Sequence, residues 1–301
     1  MIYTVTLNPA IDYVAQLDKP LQPGTLNRNC GEAVQYGGKG INVSGVLNAL
    51  DVDNIALGFV AGFTGKGLED GLRQMGIRTD FVHLPQGLTR INVKVKADLE
   101  TEINGMGPLI TDADLDKLFA QLDRLRAGDI LVLSGSIPSC LPADTYAQIM
   151  KRMENRGIFV VVDAAGQQLL NVLPLRPFLI KPNHHELAEL FGLEAVDETS
   201  VDSLAVKLQE MGAQNVLISM AEDGALLLDT QGNTRRIHCP KGTVVNSVGA
   251  GDSMVAGFLA GYVQTKDYDY ALKLGVASGS ATAFSMGLAN EEEIMKLLAQ
   301  L

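Results

Sequence analysis

The sequence predicts an α/β protein in which a mostly parallel central sheet is flanked by helices, with a small antiparallel sheet beside it. Two patterns carry this. Beyond residue 112, short apolar runs (DILVLSG, IFVVVDA, FLIKP and NVLISM) alternate with amphipathic stretches such as TYAQIMKRMENRG. Apolar strands separated by helices imply a parallel sheet covered on both faces. Nearer the start, segments with period-two alternation are joined by turn-rich residues rather than by helices, which predicts antiparallel strands outside the main body.

In order along the chain, Ile2 to Leu7 reads as a strand that stops at Asn8-Pro9. IDYVAQLD and TLNRNCGEAVQY alternate around the turn-rich KPLQPG and predict a hairpin. After Gly37-Gly38-Lys39-Gly40, Val43, Val46, Leu47 and Leu50 recur at helical spacing, and a buried strand follows at 54–60. TRINVKVKA places Ile91, Val93 and Val95 on one strand face, with TEINGMGP pairing beside it. Helices close the chain from Asp252 to Gly261, Tyr268 to Phe284 and Glu291 to Leu301.

Composition excludes several classes of function. At 301 residues with 47% hydrophobic content the chain buries a full core, and no run reaches the roughly 18 apolar residues of a membrane span. The first residues lack the basic and apolar regions of a secretion signal. Cys30, Cys140 and Cys239 are odd in number and widely spaced, which argues against a disulfide framework or zinc site and fits a reducing cytoplasm. A net charge of −11 disfavours nucleic-acid binding. His184 and His185, adjacent in sequence, are expected to point to different sides of a helix.

Four segments carry chemistry. In NSVGAGDSMVAGFLAG, residues 246–261, Gly249, Ala250 and Gly251 leave backbone N–H groups uncovered at a helix start. These amides and the helix dipole suit a transferring phosphoryl group, with Asp252 beside them as general base. Asp252 reads equally as an ordinary N-cap. YGGKGINVSGVLNAL, residues 36–50, offers close backbone approach at Gly38, a cation at Lys39 and a hydrogen-bonding amide at Asn42. It also reads as a simple turn, and it is not a Walker A loop. In LIKPNHHELAELFG, Asn183 and Glu186 have capping-box spacing, and the same pair could hold hydrated Mg²⁺. LSGSIP ends a strand with small residues, Ser136 among them, that admit a ligand or turn the chain.

The two glycine-rich segments, in this order and spacing, resemble the signatures of the ribokinase-like sugar kinases, specifically their phosphofructokinase-B branch. TLNPAID, TRINVK, SGSIP and KPNHHE extend the resemblance over the whole chain. It implies a single ribokinase-like kinase domain over 1–301, with a β lid formed by about 11–36 and 88–106. Its substrates would be ATP and a sugar phosphate, its metal Mg²⁺, and its assembly a homodimer through the lid. The likeness is strongest to bacterial members that phosphorylate fructose 1-phosphate on O6. Tagatose 6-phosphate and fructose 6-phosphate are the alternatives, and a silent sugar-phosphate sensor a remote one.

By resemblance, Asp12 meets sugar hydroxyls, while Gly38, Lys39, Asn42, Arg90 and Ser136 hold the sugar phosphate beside Asp252. Lys181 reaches the nucleotide phosphates, and Asn183 and Glu186 organise Mg²⁺ through water. Ser219, Gly224, Lys241, Ser247 and Gly251 line the ATP side. SMAEDGA departs from the family pattern at Ala221 and Glu222, where relatives carry glycine.

Overall fold

The computed structural model describes residues 1–197 and 200–301. Its first half runs β1 (Ile2–Thr6), β2 (Ala10–Gln16), β3 (Gly31–Gly37), α1 (Lys39–Ala49), β4 (Asn54–Ala61), α2 (Gly62–Gln74) and β5 (Val82–Leu84). It continues through β6 (Arg90–Lys96), β7 (Glu100–Ile103), α3 (Asp112–Leu122), β8 (Ile130–Ser134), α4 (Thr145–Met153), β9 (Phe159–Asp163) and α5 (Gly166–Val172). The second half adds β10 (Leu179–Ile180), α6 (His184–Phe191), α7 (Val201–Glu210), β11 (Asn215–Ser219), β12 (Ala225–Leu228) and β13 (Thr234–Ile237). It ends in α8 (Ala250–Thr265), α9 (Tyr268–Ala283) and α10 (Glu291–Leu298).

Among the described residues, nine strands form the central sheet in the order β13-β12-β11-β10-β9-β8-β1-β4-β5. All pairs are parallel except the β11-β12-β13 edge. Alternate residues of each strand enter two cores. Leu131, Leu133, Val160 and Val162 pack with α3, α4 and α7, whereas Ile2, Ile130, Val132, Val161 and Leu179 pack with α1, α8 and α9. Both faces are thus apolar, which is why these strands read as unbroken hydrophobic runs. On the second face the apolar rows end in polar residues at the strand C-termini: Ser134 is in register with Asp163, and Lys181 follows β10. Two helix N-termini, those of α1 and α8, arrive over this polar edge.

The small sheet has the order β3-β2-β6-β7. Its outer pairs are antiparallel, and its central β2–β6 pair is parallel. Two local expectations are corrected. The strand expected from Thr25 begins only at Gly31, because the Asn27 side chain bonds Gln22 N, Gln22 O and Thr25 O and holds those residues in a turn. The rings of His184 and His185 do not diverge but lie 3.9 Å apart, since His184 opens α6 and has no preceding turn to restrict its rotamer.

Candidate active site

A cavity of about 1220 Å³ opens over the C-terminal ends of the central strands, where ligands bind in open α/β sheets. The small sheet forms one wall, and α1 and α8 point their N-termini into it. Gly249, with φ of 82°, turns the chain into α8 and is its N-cap, without a side-chain cap bond. Asp252 therefore does not cap α8. It stands in the first turn, 6% exposed, and its Oδ2 accepts a hydrogen bond from Asn42 Nδ2 at 2.8 Å. Burial, followed by the nearby Asp163 charge, raises its carboxyl to about 7, against the opposing Asn42 bond and the Lys39 and Lys181 charges. A carboxylate poised near neutrality can take up a proton and give it back.

The cations lie beside it. Lys39 opens α1 directly after Gly38, whose φ of 125° suits glycine and where a Cβ would come within 2.6 Å of Thr6 Cγ2. Lys39 Nζ is 3.3 Å from Asp163 Oδ2, and the buried Lys181 Nζ is 3.4 Å from Asp163 Oδ1. Burial pulls the Lys39 ammonium down, but Asp163, Asp252 and Glu186 outweigh it and leave it raised. Burial likewise opposes ionisation of Asp163, yet the two lysines hold its carboxyl below the usual range. Its place at the end of FVVVDA, an acid closing an apolar parallel strand, is the signal that could have marked Asp163 as a site residue from sequence.

On the small-sheet wall, Asp12 accepts from Asn92 Nδ2 at 2.8 Å and lies 3.4 Å from Lys94 Nζ. Arg90 Nε donates to Asn8 O at 3.1 Å; burial lowers its pKa, with Asp12 partly offsetting. On the far side Asn183 and Glu186 form a reciprocal capping box, each backbone N–H donating to the other's side chain at 2.8 Å. Glu186 also lines the cavity, as do Ser136 and Ser219. The cavity thus gathers Asp12, Gly38, Lys39, Asn42, Arg90, Ser136, Lys181, Asn183, Glu186, Ser219, Gly249, Gly251 and Asp252.

Some expected residues lie elsewhere. Gly224 turns into β12 where a Cβ would overlap Ile237 O, and it does not line the cavity. Lys241 and Ser247 are exposed and likewise outside the lining, although Asn246 and Val248 beside Ser247 belong to it. Ala250, at the first position of α8 between two lining glycines, is not in the lining, and its N–H, expected to be uncovered, donates to Ser247 O at 3.2 Å.

A cavity with two helix starts, two lysines and one near-neutral carboxylate offers the groups that phosphoryl transfer to a hydroxyl uses. The comparisons agree. A 1-phosphofructokinase from Bacillus subtilis is 48% identical over all of this chain and 98% of its own length. A D-tagatose-1-phosphate kinase from Bacillus licheniformis is 38% identical over 100% and 98%. The crystal structure of phosphofructokinase-2 from Escherichia coli in complex with substrates and products superposes with a TM-score of 0.93 at 27% identity, covering 100% of this chain and 99% of that one. The model of the pfkB family carbohydrate kinases matches residues 5–295, and with ATP as phosphoryl donor and a divalent cation as the usual companion, the chain belongs to that family.

Proposed function

We propose that the chain is a 1-phosphofructokinase that transfers the γ-phosphoryl group of ATP to O6 of fructose 1-phosphate, giving fructose 1,6-bisphosphate and ADP. The observation that carries this reading is Asp252: buried, raised to about 7, bonded to Asn42 and flanked by Lys39 and Lys181. Fructose 1-phosphate would lie on the Asp12, Gly38, Lys39, Asn42, Arg90 and Ser136 side, and ATP on the Lys181, Ser219 and Gly251 side. Asp252 then accepts the O6 proton as oxygen attacks the γ-phosphorus. As the bond to the ADP oxygen breaks, the amides of Gly249 and Gly251 face the growing charge. The small sheet, over about 11–36 and 88–106, acts as a lid that keeps water from the reaction.

Mg²⁺ fits these residues if it travels on the phosphates. Among the described residues, no cluster of three or more His, Cys, Asp or Glu could enclose an ion. Glu186 Oε2 is committed to the Asn183 N–H, so Glu186 and Asn183 would hold a hydrated ion through water. Bound there, Mg²⁺ would neutralise phosphate charge.

Gly224, Lys241 and Ser247 belong in this reading to the outer edge of the nucleotide site. We read the whole chain as one kinase domain, working in the cytoplasm as a homodimer paired through the lids. Among the described residues, no helix is long and apolar enough to cross a membrane.

A second reading, tagatose 1-phosphate as acceptor, is favoured by the relative of that name at 38% identity. Both sugars present phosphate on C1 and differ at C4, where one hydroxyl is set differently toward the pocket. A buried hydrogen bond lost there costs about 1–3 kcal/mol, roughly 5- to 150-fold in rate. A coupled assay of ADP release across fructose 1-phosphate, tagatose 1-phosphate, fructose 6-phosphate and tagatose 6-phosphate tests both readings. The highest kcat/KM is expected for fructose 1-phosphate. A tenfold advantage for another sugar overturns the substrate and leaves the kinase chemistry standing.

A further inference from the structure

Between the sugar side and the nucleotide side of the cavity lies a carboxylate with no role in the chemistry above. Asp163 ends β9 and is 1% exposed. It accepts a hydrogen bond from Lys39 Nζ on Oδ2 at 3.3 Å and meets Lys181 Nζ through Oδ1 at 3.4 Å as an ion pair without a hydrogen bond, the two lysines reaching it from different elements. Lys39 comes from the start of α1, and Lys181 from the segment after β10. Gly251 makes room for the second, since a Cβ there would stand 3.2 Å from Lys181 Nζ. Two ammonium groups so close, Lys181 buried and Lys39 39% exposed, would repel each other without an acid between them. With it they form one unit carrying a net positive charge, and each lysine faces a different half of the cavity.

We propose that Asp163 is a positioning residue that locks the sugar-side and nucleotide-side lysines into a single unit and so couples the two substrate sites. The proposal rests on the reading of Lys39 and Lys181 given under the proposed function. If a phosphate draws one lysine, it changes the field and the free space felt by the other, which is the differential interaction that coupling requires. The unit also borders the base. Asp252 is faced by Lys39 and Asn42 from α1, Asp163 from β9 and Lys181 after β10, with Glu186 of α6 and Asp12 and Arg90 of the small sheet on the same cavity. Asp163 pushes the Asp252 proton affinity up, while the lysines and the Asn42 amide pull it down. Replacing Asp163 by a neutral isostere therefore lowers that affinity, and the acid limb of kcat/KM moves to lower pH. A residue whose charge did not reach Asp252 would leave the limb in place.

The test compares Asp163→Asn and Asp163→Glu with the unmutated protein. Calorimetric titration with ADP and, separately, with fructose 1-phosphate should show both affinities weakened by at least about tenfold in Asp163→Asn. The acid limb should shift down in Asp163→Asn and stay in Asp163→Glu, which keeps the charge. A folded Asp163→Asn protein in which one affinity changes and the other does not, or in which the limb stays, overturns the proposal. If that variant does not fold, Asp163→Glu decides: its carboxylate is one methylene further out, so both affinities must weaken together, and a change in one alone overturns the coupling. Should the unmutated protein turn over no ketohexose phosphate, the kinase reading fails separately. Titration with ADP and inorganic phosphate then reads Asp163 by the same criterion.

Discussion

At the scale of single residues, the site puts an ionisable group where ionisation is costly. Asp252 is raised to about 7 chiefly by burial, so its folded-state value lies above the ordinary 3.8. A folded state that binds the proton more tightly loses stability as pH rises through the window from about 4 to about 7. Asp252→Asn removes the charge and keeps the shape. The variant is expected to melt higher than the unmutated protein at pH 8 and equally at pH 4, by calorimetry at both. Turnover should fall by roughly 10²–10⁴-fold, the usual worth of a general base, with both substrates still bound. Near-full kcat in the Asn variant would sink the base assignment. Asn42→Ala acts in the other direction: its amide stabilises the ionised form, so losing it raises Asp252 and moves the acid limb of kcat/KM to higher pH. A limb that stays or falls would contradict the hydrogen bond's role. Asp252, Lys39 and Asn42 were legible in sequence because each sits beside glycines at a helix start. Asp163 was passed over, although an acid closing an apolar parallel strand was a signal in the sequence; the two lysines it faces come only from the fold.

At the scale of elements, close approach decides what glycine does. Gly40 lies in the first turn of α1, where a Cβ would come within 2.6 Å of Thr6 Oγ1 and 2.9 Å of Val5 O. Gly40→Ala must push α1 off β1 and carry Lys39 with it. Overpacking of this kind costs about 1–3 kcal/mol. The sugar-phosphate KM should rise along with the loss of stability. Gly67, exposed within α2, has nothing within 4 Å of its ideal Cβ. Gly67→Ala should stabilise by about 0.4–1 kcal/mol with unchanged kinetics. Chemical denaturation of the two variants checks the contrast, and equal stabilisation would mean that helix propensity rather than packing governs. The same physics explains which elements could be read. Strands buried on both faces announce themselves as apolar runs, so β8, β9 and β11 lie where their sequences place them. β13 is not legible as a strand, because Arg235 and Arg236 break the apolar pattern while pairing with Asp229 and Asp202, whereas the buried ALLL run of β12 was open to the same reading as β8 and went unused.

At the scale of the whole molecule, the small sheet presents two faces of opposite character. Asp12, Asn92 and Lys94 share a polar network on one. On the other, Val34, Tyr13, Val93 and Ile103 form a row across all four strands, with Val34 55% and Ile103 64% exposed. The alternation of TRINVKVKA made this second face legible, although the parallel β2–β6 pairing was not, since a strand's own pattern does not specify its partner's direction. Left in water, such a face invites association, and two copies meeting across it would bury apolar area on both. A stable dimer of this kind needs about 800 Å² from each partner. Ile103→Lys places a charge in the row without touching the cavity, and as a surface change it should leave the monomer's stability within about 0.5 kcal/mol. Sedimentation velocity at micromolar concentration is expected to show a dimer for the unmutated protein and a monomer for Ile103→Lys. Because Asp12 and Arg90 ride on β2 and β6, loss of the partner lid should raise the KM for sugar phosphate and leave that for ATP nearly unchanged. A monomeric unmutated protein with full activity would sink the paired-lid arrangement. A dimer that survives Ile103→Lys would move the interface to another surface.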